Sequence, residues 1–153
     1  MFCILNPFFI YRAYNGLFTS PAVQFPGRKD HPTSDQVALF GGLLRPGDLL
    51  TDTATVSGTK YKLGQVVVVA VGCSDLITVG VILQAVLRKN TLLFIVSLYD
   101  AIRTPFGFWQ ACPSDKVNIV DQKQLADFKP LYKRNSDICF HFVLHHHLPT
   151  PFD

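Results

Sequence analysis

The segment from Val66 to Leu87 constrains the fold of this chain more than any other, because it has few polar members and is long enough to cross a bilayer as a helix. It admits two readings. Asp75 sits near its middle, where a charge costs about 2.5–3.5 kcal/mol in a spanning helix. Gly72-Cys73-Ser74-Asp75 carries turn-forming residues. After it, Ile77, Val79, Val81 and Leu83 alternate with Thr78, Gly80, Ile82 and Gln84, which is the period of a strand. Two strands and a turn therefore fit better than one helix. A membrane-associated protein using residues 1–10 and 66–87 is the alternative.

The flanking sequence extends the β pattern. Thr51 to Val56 reads as a strand and Ser57-Gly58 as a tight turn. Lys60 to Val71 then reads as a long strand whose centre is apolar on both faces, as in a sheet that curls on itself. Arg88-Lys89-Asn90 makes a turn, Thr91 to Tyr99 a strand, and Thr104 to Gly107 a break. Lys116 to Val120 is a short strand. Asp121 to Phe128 is predicted as the one short helix, with Asp121 as N-cap and Pro130 beyond its end. Asp137 to Leu148 alternates again, with Ile138, Phe140, Phe142 and Leu144 on one face and Cys139, His141, Val143 and His145 on the other.

All eleven acidic residues are Asp, so the good helix former Glu is absent, while β-branched and aromatic residues are plentiful. The expected fold is mainly β: a small antiparallel barrel or rolled sheet of five to six strands with one short helix. Residues 51–149 would form this module and 150–153 a tail. Residues 1–50 read as an irregular Pro- and Phe-rich arm, interrupted at Pro7, Pro21, Pro26, Pro32 and Pro46.

Composition excludes several functions. With 48% apolar and 16% charged residues the chain is no charge-rich disordered tail. Its net charge of +3 is scattered over pairs such as Arg28-Lys29 and Lys133-Arg134, which gives no concentrated nucleic-acid footprint. Cys3, Cys73, Cys112 and Cys139 form no CxxC pair, and read as free thiols inside a cell. Neither G-x-x-x-x-G-K-[ST] nor G-x-G-x-x-G occurs. A nucleophile needs a base and an orienting group nearby, and no local motif joins Cys73, Cys112 and His141. No enzyme and no cofactor is expected.

Two constellations remain. Cys139, His141, His145 and His147 fall on one face of the last strand and are the only candidates for a metal, since zinc accepts imidazole and thiolate. They lack acidic neighbours other than Asp137 and read first as the polar face of an edge strand, so no metal is assigned. Tyr99, Arg103, Phe106, Phe108 and Trp109 gather around a Pro- and Gly-marked bend. Ring faces and guanidinium groups on a projecting loop suit recognition of a protein segment, so these five are the candidate binding residues.

The runs VSGTKYKLGQVVVVAV, ITVGVILQAVLRKNTLLFIVSLYDA, QLADFKPLYKR and FVLHHHLP, with Tyr61, Gly64, Gly80, Tyr99 and Leu131-Tyr132 in order, cover residues 55–149. This stretch resembles the small C-terminal β module of transposon-derived animal proteins, which is itself similar to bromo-adjacent-homology and other SH3-like barrels. The resemblance implies a non-catalytic interaction module within a larger protein. Its partner would be a protein segment or chromatin component, with nucleic acid a lesser candidate that the charge pattern does not support and a membrane disfavoured. The location would be intracellular, with the nucleus as a candidate compartment.

Overall fold

A computed structural model describes residues 23–24, 29–72, 75–133 and 138–144. Its strands are β1 (Val23–Gln24), β2 (Leu49–Thr51), β3 (Thr53–Val56), β4 (Thr59–Lys62), β5 (Val66–Val71), β6 (Leu76–Arg88), β7 (Thr91–Arg103), β8 (Trp109–Asp121), β9 (Asp127–Leu131) and β10 (Phe140–Phe142). Among the described residues one α-helix, α1, spans Ser34–Leu39. The main sheet is a curled antiparallel half-barrel in the order β10-β8-β7-β6-β5-β9, with β2 also pairing with β6. A small sheet, β1-β3-β4, accompanies it. The fold is mainly β, as the alternation predicts.

Val66 to Leu87 is not a helix. It forms β5 and most of β6, paired from Val66 opposite Val81 to Val71 opposite Ile77. Among the described residues no helix is long and apolar enough to cross a membrane. Val66 and Val68 enter one apolar cluster with Val79, Val81, Trp109, Leu131, Phe140 and Phe142. Val67 enters a second, with Ala54, Tyr61, Ile82, Phe94 and Val96. β5 is thus covered on both faces, which explains its lack of polar alternation.

The predicted long strand from Lys60 to Val71 is broken after Lys62. Gly64 takes φ of 87°, its N–H donates to the Ile82 carbonyl, and the Gln65 side-chain oxygen accepts from Lys62 N–H at 2.8 Å. Curvature enters β6 at Gly80, where a Cβ would stand 2.7 Å from Val96 Cβ, and at the register shift between Ile82 and Gln84. Glycine inside a strand commonly marks such a close approach. Two-residue turns close two hairpins. Ser57 and Gly58 have φ of 48° and 84°, and Lys89 and Asn90 have 50° and 58°, the positive values that match strand twist in tight hairpins.

The helix expected at Asp121 to Phe128 is corrected. Asp121 does accept from Lys123 N–H at 2.9 Å, but it caps only the 3₁₀ turn Gln122–Gln124. The chain then becomes β9, which pairs with β5 through Val66 opposite Leu131 and Val68 opposite Asp127. Backbone groups along β5 offered a better partner than one short turn of helix. Pro130 is tolerated because β9 is a terminal strand of the sheet. Tyr61, 1% exposed, locks this crossing: its hydroxyl donates to the Phe128 carbonyl and accepts from the Gln122 amide.

Residues 29–50 are more ordered than their composition suggests. Thr33 and Gln36 form a reciprocal capping box at the start of α1. Phe40, Leu43 and Leu44 pack on a third cluster of Leu50, Val86, Leu93 and Ile95. Asp48, 0% exposed, receives both Arg88 Nε at 2.9 Å and Arg88 Nη2 at 2.8 Å, plus Arg45 N–H at 2.7 Å. Arg88 Nη2 also donates to the Leu43 carbonyl at 2.9 Å. Hydrogen bonding from Arg88 outweighs burial and holds the Asp48 carboxyl below the usual range.

Candidate functional site

β7 and β8 are each thirteen residues long and run together to the bend at Thr104–Phe108. The bend is fixed by its own hydrogen bonds. Thr104 N–H and Oγ1 both donate to the Phe108 carbonyl at 2.8 Å, and Gly107 N–H donates to the Thr104 carbonyl at 3.2 Å. Gly107 takes φ of 87°, a conformation that costs a side-chain-bearing residue more. Arg103 N–H donates to the Asp75 carbonyl. Asp75, Arg103, Thr104, Pro105 and Gly107 line an open depression of about 390 Å³.

The five aromatic and basic candidates divide between surface and core. Phe106 is 84% exposed and stacks on half-buried Phe108 at 6.3 Å, while Arg103 is exposed at the end of β7 and lines the depression. Trp109 is instead buried and stacks on Phe142 at 6.3 Å. Tyr99 is partly buried and meets Phe140 edge-on at 4.9 Å. The sheet extends further than the loop reading assumed, because Trp109 and Ala111 share the inward face of β8.

Among the described residues, 138–144, the last strand is shorter than predicted. Its ladder holds only Phe140 opposite Ala111, His141 opposite Gln110 and Phe142 opposite Trp109. Phe140 and Phe142 are fully buried, as the alternation requires, but Ile138 is 77% exposed and does not join them. His141 lies on the outward side and meets Phe108 edge-on, centroids 4.9 Å apart. The loop and the histidine strand, separate in the sequence, therefore form one continuous surface: Phe106 on Phe108, Phe108 on His141.

Of the four metal candidates, His145 and His147 lie outside the described residues. Among the described residues no group of three or more His, Cys, Asp or Glu converges as a metal site. Cys139 lies against Cys112 instead, with Sγ atoms 2.7 Å apart. Cys139 immediately precedes β10, and continuing the pairing of Phe140 with Ala111 by one residue sets it opposite Cys112 on β8. Hydrogen bonding with Cys112, with burial adding to it, pushes the Cys139 thiol up. This juxtaposition was missed because the register of β10 on β8 is not written in either segment. Cys73, the other thiol considered as a nucleophile, lies outside the described residues.

The residues that carry the family resemblance have structural work in the sheet. Tyr61 ties β4 to β9, Gly64 turns the chain, Gly80 admits Val96, and Tyr99 packs on Phe140. Leu131 is buried and the Tyr132 hydroxyl accepts from Gln65 Nε2 at 3.0 Å. No protein-family model, curated protein or solved structure significantly matches this chain.

Proposed function

We propose that this chain is a non-catalytic interaction module that binds an extended protein segment at the β7–β8 bend. Exposure of Phe106 carries the reading. A large apolar ring held outside the core by a hydrogen-bonded bend loses little freedom on binding, and aromatic residues with Arg are the usual interface anchors. Arg103 adds a cation at the rim, and the adjoining depression gives room for a partner side chain. The resemblance to SH3-like and bromo-adjacent-homology modules favours the same class and makes histone tails the first chromatin segments to examine.

A displayed peptide library selected against the full chain, with histone-tail peptides included, tests the proposal. Selected peptides should bind the unaltered protein and lose about tenfold or more on Phe106→Ala or Arg103→Ala, the effect of removing one anchor. Binding that survives both substitutions, or failure to select any peptide, would refute it.

A further inference from the structure

We propose that Cys112 and Cys139 form a reversible redox clasp, in which an oxidant of the glutathione-disulfide class links the two thiols and fastens β10 to β8. Directly opposite residues on antiparallel strands have Cα atoms about 4.5–5.5 Å apart, inside the range of about 4.4–6.8 Å that a disulfide spans. Continued one residue beyond Phe140, the register of β10 on β8 places these cysteines in that relation, and their sulfurs lie 2.7 Å apart. The bond therefore forms without moving either strand.

Access favours the chemistry. Cys112 is exposed and Cys139 is half-buried, so Cys112 meets a small oxidant first. The Cys112 thiolate attacks one sulfur of glutathione disulfide and releases one glutathione thiolate. The Cys139 thiolate then attacks the Cys112 sulfur of the mixed disulfide and releases the second. Both protein thiols lose their protons, two electrons pass to the oxidant, and two glutathione molecules result.

The clasp has something to hold. Among the described residues β10 has three residues and one partner strand, yet it delivers Phe140 and Phe142 to the main core and His141 to Phe108. Opening β10 exposes two buried rings. A covalent link one residue before Phe140 closes a loop across a sequence separation of 27 and opposes that opening. The clasp does not depend on the partner proposed for the bend.

The full chain, with Cys3 and Cys73 in place, is reduced, exposed to glutathione disulfide, blocked with N-ethylmaleimide and cleaved with trypsin. Cleavage after Arg103, Lys116 and Arg134 puts Cys112 and Cys139 in different peptides. The expected product is those two peptides joined, lighter by two hydrogens than their sum and separated again by dithiothreitol. Hydrogen exchange at Phe140–Phe142 should slow by roughly tenfold, and the Tm should rise by about 5–10 °C. Cys112→Ser should fold like the parent and show neither change. Glutathione adducts alone, links through Cys3 or Cys73, or a Cys112–Cys139 link that leaves exchange at β10 unchanged would overturn the proposal. Those outcomes are read on the unaltered chain, so they hold even if the variant folds poorly.

Discussion

Gly80 and Val96 approach so closely that a single added methyl group would collide: a Cβ on Gly80 would lie 2.7 Å from Val96 Cβ and 2.9 Å from Val96 Cγ2. Val96 is fully buried on the neighbouring strand and cannot swing into solvent. Gly80→Ala should therefore force β6 away from β7 and cost about 1–3 kcal/mol, the range for overpacking. Urea unfolding of the variant beside the parent measures this. An unchanged midpoint would mean that the curl of β6 does not need the glycine.

Arg88→Met should be among the most damaging substitutions, at about 3–5 kcal/mol, because it leaves the buried Asp48 carboxylate without its cation. The double variant Arg88→Met with Asp48→Asn removes the charge as well and should be less destabilised than Arg88→Met alone. Thermal unfolding of both variants settles the order.

The same pair predicts the acid limb of stability. Asp48 has its folded pKa lowered, mainly by the Arg88 hydrogen bond. Its contribution is therefore complete above the ordinary carboxylate pKa of about 3.9 and disappears as pH falls through the lower folded value. Denaturation curves from pH 6 to about pH 2 should show this loss, and Asp48→Asn should flatten it.

Phe106→Ala should change stability by no more than about 0.5 kcal/mol, as expected for an exposed side chain. Trp109→Ala should cost about 3–5 kcal/mol because it empties a place beside Phe142. Equal effects in denaturant would contradict the division of these aromatics between surface and core.

A chain started at Thr51 should be clearly less stable than one started at Lys29. The shorter chain lacks Asp48, which neutralises Arg88, and Leu50, which fills the third cluster. Comparing the two by thermal unfolding tests how far the module extends toward the N-terminus.

The hairpins were legible because their signals are local. Turns at Ser57-Gly58 and Lys89-Asn90, and the alternation after Ile77, state themselves within a few residues. β9 was not, because Asp121 to Phe128 carries a true cap and its later residues are decided by pairing with β5. The start of α1 had a readable sign in Thr33-Ser34-Asp35-Gln36, but Val37 and Leu39 remain exposed and make no apolar stripe. At the candidate site, exposed Phe106 and Arg103 were recognisable from their bend. Trp109 and Tyr99 were not separable from them, since a small Ala111 and a bulge near Pro113 hide the inward period of β8. The meeting of His141 with Phe108, and of Cys139 with Cys112, depends on a strand register set across distant sequence.

The terminal strands of the main sheet also govern how this protein tolerates crowding by its own copies. β9 presents Pro130, which has no N–H to donate, next to exposed Lys129, and among the described residues β10 is only three residues long. An incoming strand from another molecule finds a missing donor and a nearby charge at one border, and a very short template at the other. Such borders discourage the edge-to-edge growth that leads long, flat, uncharged strands into fibres. Concentrated protein should thus resist templated polymerisation through these borders.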